Sequence, residues 1–100
     1  MQAGYAYKDR TCTFLVTDGL LPISNAEIVI QKQGETSQTF FTDALGEFKF
    51  IGNGNFDYAV NVSGYKIQTG SFTLSENSIF EQVILSKMYD LEFTITDGAN

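Results

Sequence analysis

The sequence predicts an all-β domain, a two-sheet antiparallel sandwich of about seven strands, and three observations carry that expectation. Apolar and polar residues alternate over short stretches: Ala26, Ile28 and Ile30 share one face, and Glu27, Val29 and Gln31 the other. That is the period of a half-buried strand. Turn chemistry separates successive stretches, at Asp18-Gly19, Gly34, Asp43-Ala44-Leu45-Gly46, Gly52-Asn53-Gly54-Asn55 and Ser63-Gly64, at the spacing of a sandwich. No segment longer than a turn carries a helical period.

Residues 1–10 show no clean alternation, although Tyr5 and Tyr7 share a parity, and read as an arm or edge strand. Residues 11–88 read as the sandwich. Thr11-Cys12-Thr13-Phe14-Leu15-Val16-Thr17 is rich in β-branched and aromatic residues and stops at Asp18-Gly19, so it is the first core strand, with Phe14 and Val16 inward. Pro22, the single proline, lacks a donor and belongs to the connection over residues 20–25. Residues 26–32 form the next strand.

The stretch around which the chain is organised is Thr42-Asp43-Ala44-Leu45-Gly46-Glu47-Phe48-Lys49-Phe50. Asp43 suits the first position of a type I turn, its carboxylate accepting backbone N–H groups two and three residues on, and Gly46 can take φ > 0 to close the bulge of a hairpin. Phe48 and Phe50 then face one way. Residues 56–62 repeat the alternation through Phe56, Tyr58, Val60 and Val62; residues 65–74 are extended, with Gly70 marking a bulge or an edge. Residues 79–85 close the domain, Val83 and Leu85 inward.

One hundred residues with 43% hydrophobic content make one domain, able to bury about two thirds of its unfolded surface around a single core. The net charge is −6, and the six basic residues, Lys8, Arg10, Lys32, Lys49, Lys66 and Lys87, form no run. Phosphate neutralisation needs a basic patch, so nucleic acid is not an expected partner. No apolar run reaches the length of a membrane span, so direct membrane insertion is not expected. Met1-Gln2-Ala3-Gly4 lacks the regions of a signal peptide, and the chain therefore reads as a piece of a longer protein whose targeting sequence lies elsewhere.

Catalytic chemistry has little to work with. There is no histidine, which excludes Ser-His-Asp and Cys-His nucleophile systems within the chain and removes the commonest zinc ligand. Cys12, the single cysteine, reads as a small buried hydrophobe. Neither an enzymatic activity nor a cofactor is expected. Asp18, Asp43, Glu47 and Asp57 are oxygen donors that a sandwich could bring together around calcium, but no Asp-x-Asp-x-Asp-Gly loop is present, and turn capping accounts for them more simply. Nine Phe and five Tyr could include a platform for a glycan, although in alternating strands such rings are more often core.

With the strands placed, the chain resembles the carboxypeptidase regulatory-like family. The likeness rests on Thr17-Asp18-Gly19, Pro22-Ile23, Asn25-Ala26-Glu27-Ile28, Thr42-Asp43, Gly46, Phe48, Phe50, Tyr58, Val60 and Ser63-Gly64-Tyr65, in this order. It implies a prealbumin-like or immunoglobulin-like sandwich, a non-catalytic module repeated in tandem in extracytoplasmic bacterial proteins (cell surface, periplasmic or secreted), where it spaces or presents neighbouring domains of the same polypeptide. It departs from prealbumin-fold dioxygenases whose chemistry uses histidine. The alternative function is a ligand-binding, adhesin-like domain whose loops hold a glycan or a protein. A fainter similarity is to collagen-adhesin B-type repeats, some of which carry a Lys–Asn isopeptide bond. Lys8 and Asn77 could supply amine and amide, but residues 58–63 lack the promoting glutamate.

An internal echo completes the reading. Phe14-Leu15-Val16-Thr17-Asp18-Gly19 recurs as Phe93-Thr94-Ile95-Thr96-Asp97-Gly98, 79 residues on (93 − 14), about the length of one such sandwich. Residues 89–100 are accordingly expected to be a linker and the first strand of a following repeat. Residues 91–96 are expected to add to an edge of the same domain, with dimerisation through them as the second course.

Overall fold

Cys12, Phe14 and Val16, alternate residues of the first strand, are fully buried, and the rest of the fold is assembled on that face. A computed structural model describes residues 9–88. Seven strands occur in order: β1 (Arg10–Thr17), β2 (Glu27–Lys32), β3 (Ser37–Phe41), β4 (Glu47–Gly52), β5 (Gly54–Asn61), β6 (Gln68–Leu74) and β7 (Ile79–Ile84). No helix occurs among the described residues. One sheet has the order β4-β1-β7 and the other β3-β2-β5-β6. Cys12, Phe14 and Val16 of β1 face Ile28, Ile30, Tyr58, Val60, Phe72 and Leu74 of the second sheet in one buried cluster. The all-β sandwich expected from the alternation is what forms.

Aromatic rings fill the space between the sheets. Phe14 meets Tyr58 edge-on at 5.1 Å and Phe72 at 5.6 Å. Phe50 of β4 meets Phe56 of β5 at 4.9 Å, again edge-on, and Phe56 stacks on Phe72 at 5.2 Å. Edge-to-face contact sets the positive ring edge against the negative face, which adds about 1 kcal/mol per pair to the burial itself.

Two details differ from the sequence expectation, and another decides between its alternatives. First, β7 runs parallel to β1, with Cys12 opposite Ile79 and Thr17 opposite Ile84, while the other pairs are antiparallel. The chain between them crosses through the other sheet, as a parallel pair requires. Second, Gly70 marks an edge strand but no bulge, since the β5–β6 register runs unbroken through Tyr58 opposite Gly70. A Cβ at Gly70 would stand 2.6 Å from the Tyr58 hydroxyl, so the glycine is there to let the ring lie across the strand.

Third, the turn at Asp43-Ala44-Leu45-Gly46 is not a hairpin. β3 pairs with β2 and β4 with β1, so these four residues carry the chain from one sheet to the other. The local chemistry is as expected: the Gly46 N–H donates to the Asp43 carbonyl at 3.0 Å, and Gly46 has φ +77°. The Asp43 carboxylate accepts the N–H groups of Leu45 and Glu47, two and four residues on. Such a turn has the same residue preferences whether or not its flanking strands pair. Docking decides: the Val16 N–H donates to the Gly46 carbonyl at 2.8 Å, and Phe40 of β3 stacks on Phe48 of β4 at 4.6 Å across the sandwich.

The tandem-strand expectation for residues 91–96 and the amine of Lys8 lie outside the described residues. Gly46 combines a positive φ with a close approach, since a Cβ there would stand 2.7 Å from the Val16 carbonyl oxygen and 2.9 Å from Pro22. Gly46→Val should therefore lower stability by about 2 kcal/mol or more in urea unfolding, while Lys49→Ala, at an exposed side chain in a loose 3.8 Å pair with Glu47, should be nearly silent.

Candidate functional site

A tyrosine hydroxyl, a carboxylate and a thiol meet where β1, β5 and β7 face one another. The alternation of β5 turns Tyr58 inward, and that of β7 turns Glu81 toward the same space. The Tyr58 hydroxyl donates to Glu81 Oε2 at 2.9 Å, a bond between the two sheets. Burial pushes the Tyr58 hydroxyl well above its usual range, and the hydrogen bond and charge of Glu81 push it further. Burial likewise raises the Cys12 thiol to about 12, with the Glu81 carboxylate adding to the shift. A thiol held protonated is neither a nucleophile nor a metal ligand at neutral pH. The cluster is a satisfied hydrogen bond beside an inert thiol.

The acidic candidates are dispersed among separate tasks. Asp18 accepts the N–H groups of Leu20 and Leu21, both at 2.9 Å, and these bonds, that from Leu21 foremost, draw its carboxyl below the ordinary range. Asp43 holds the crossing turn. Glu47 pairs with Lys49. Asp57, expected at a loop end, lies inside β5 with its exposed side chain opposite Gln31 and Ser71; the Gly52-Asn53-Gly54 connection is shorter than the four-residue turn expected, so the strand begins earlier. Among the described residues no three His, Cys, Asp or Glu side chains gather as a metal would need.

Among the described residues the rings form no platform. Phe14, Phe50, Phe56, Tyr58 and Phe72 are core, and the two exposed phenylalanines among the described residues, Phe41 and Phe80, belong to different sheets. A cleft of about 250 Å³ opens beside β3 and β4, with Ile30, Phe50 and Phe56 lining it along with Lys32, Glu35 and Gln38. Its aromatic members are the buried ones, so it presents little ring face.

The feature that sequence reasoning missed is at the end of the sandwich where the chain leaves it. Leu20, Leu21, Ile67, Ile84 and Met88 are more than half exposed there, as are Phe41 just before the crossing turn and Leu45 within it. The signal is Leu20-Leu21, an apolar pair in a connection that the sequence pattern marks only as a link.

No family model and no curated protein matches the chain. Among solved structures, the Bacillus anthracis TIE protein superposes with a TM-score of 0.71 at 25% identity, over 81% of this chain and 18% of that one. Catechol 1,2-dioxygenase from an Acinetobacter species, inhibited by bound mercury, gives a TM-score of 0.65 at 8% identity, over 91% of this chain and 58% of that one. A variant of the Acinetobacter radioresistens enzyme gives 0.69 at 12%, over 97% and 60%. The dioxygenase likeness is one of fold alone. The chain thus spans about a fifth of the TIE protein and less than two thirds of each dioxygenase, and its likeness to the former is that of a β-sandwich domain module.

Cys12 supplies a direct test of the inert interior. In the folded protein at pH 8 it should resist alkylation by iodoacetamide, and it should react at once when the chain is unfolded in guanidinium. Labelling of the native protein at the rate of a free thiol would contradict the buried, protonated assignment.

Proposed function

We propose that this chain is a non-catalytic structural and interaction module of a longer, tandem-repeat protein placed outside the cytoplasm, where it spaces or presents neighbouring domains. The observation that carries the reading is the way the echo falls on the buried face of β1. Moving 79 residues on from Cys12, Phe14 and Val16, all fully buried, gives Leu91, Phe93 and Ile95. The partly exposed Thr11, Thr13 and Thr17 become Asp90, Glu92 and Thr96. Inward positions stay apolar, the outward Leu15 becomes Thr94, and Asp18, which caps the end of β1, recurs as Asp97 before Gly98. The alternation reaches six residues upstream of the second Thr-Asp-Gly, the length of a strand such as β1, which supports a repeat.

The match to 18% of the TIE protein, a domain within a much longer chain, supports a modular role. So does the resemblance to the carboxypeptidase regulatory-like family, from which the extracytoplasmic placement also comes. A non-catalytic role is supported by the absence of histidine from the sequence and by the quenched Cys12 and Tyr58. The parent polypeptide, read past Asn100, should place an Asp-x-x-Gly turn and then alternating aromatics 79 residues after Asp43 and Gly46. A continuation with no such turn and no second sandwich pattern would overturn the tandem reading.

A further inference from the structure

Resting on that tandem reading, we infer that the end of the sandwich where the chain leaves is a docking face for the following sandwich domain, joined to it without a linker. The exit is fixed by backbone bonds. The Lys66 N–H donates to the Ser86 carbonyl and the Met88 N–H to the Gly64 carbonyl, both at 2.9 Å, and Tyr65 bridges Lys87. Met88 is therefore tied to the body of this domain. On the 79-residue offset, Tyr89 stands where Arg10 opens β1. No residue separates the last tied position of one domain from the first strand position of the next. Two bodies joined with so little slack must lie against one another.

The face they would share is the apolar one. The Leu85 N–H donates to the Thr17 carbonyl, which brings the ends of β1 and β7 together. Leu20 and Leu21 come after β1 in the turn that Asp18 caps, and a Cβ on Gly19 would stand 3.9 Å from Ile84. Leu20, Tyr65, Ile84 and Lys87 line one groove beside Asp18. Single exposed apolar side chains are ordinary on a protein surface, but a cluster around the point where the chain departs marks a contact. The opposite end, which a following domain would present, carries polar bonds, Asn53 donating to Asp9 at 2.8 Å and the Arg10 guanidinium to the Glu76 carbonyl at 2.9 Å, beside the exposed Ile51 opposite Thr11. The occupant that fits is a following domain of the same kind, delivered by the chain itself, with its Ile51 counterpart to meet the apolar side chains and Lys87 and Asp18 at the rim to meet its polar groups.

A two-copy chain tests this, with residues 1–88 running directly into residues 10–100 of a second copy. Rotational correlation times from nitrogen relaxation should be those of one rigid body. Amide shifts of Gly19, Leu20, Leu21, Ile67 and Met88 in the first copy should differ from those of the single chain. Leu20→Ser with Leu21→Ser, exposed changes that should leave the single chain folded, should release the copies to tumble separately. Independent tumbling of the unsubstituted two-copy chain, with single-chain shifts, would overturn the inference. So would unchanged rigidity in the double variant, because the joint alone would then hold the domains. Neither result bears on the tandem reading, which stands or falls on the parent sequence past Asn100.

Discussion

The fold depends on the docking of one crossing turn. Thr42, the one polar residue in the buried set among the described residues, donates its hydroxyl to the Ile23 carbonyl and accepts the Ala26 N–H, each at 2.8 Å. Its backbone does the same for the neighbours: the Asn25 N–H donates to the Thr42 carbonyl, and the Thr42 N–H to the Ala26 carbonyl. Four residues later the Gly46 carbonyl accepts from Val16, whose own carbonyl accepts from Ile23. The turn, the Pro22 connection and the end of β1 are thereby stitched into one unit that joins the two sheets. A hydroxyl with both functions satisfied costs little to bury; removing one partner would leave a donor or acceptor dry, at about 1–3 kcal/mol.

Much of this was legible in the sequence because the period of two is a local signal. Cys12, Phe14 and Val16, then Ala26, Ile28 and Ile30, then Phe56, Tyr58 and Val60 are buried as their parity requires. Pairing partners were not legible. The alternation of β3 and β4 is the same in a hairpin as across a sandwich, and only the distant contacts of Gly46 with Val16 and Pro22 choose between them. The parallel β1–β7 pair joins the two ends of the described fold, so no local pattern reports it. Thr42 looks like any strand-end threonine until Ile23 and Ala26 are beside it. Gly70 is explained by a tyrosine twelve residues earlier in sequence (70 − 58) and directly opposite in the sheet.

The site candidates divide in the same way. Asp18 and Asp43 were readable as turn residues because a glycine stands one or three positions after each, and both cap turns. Asp57 was not, because the start of β5 depends on how tightly the chain turns at Gly54. The apolar end formed by Leu20, Leu21, Ile67, Ile84 and Met88 draws on three separate segments, and a surface assembled from three segments has no signature in any of them. Cys12, the single cysteine, is set by burial in the same non-local way, since its raised thiol depends on the facing sheet.

Native-state hydrogen exchange tests the central role of the crossing turn most directly. Denaturant-dependent exchange of the Val16, Ile23, Asn25 and Thr42 amides should proceed only through global unfolding, with the same free energy as the Ile28 and Val60 amides at the centre of the second sheet. Exchange of those four through local openings, orders of magnitude faster while Ile28 and Val60 stay protected, would show that the turn is a dispensable loop and would contradict the account.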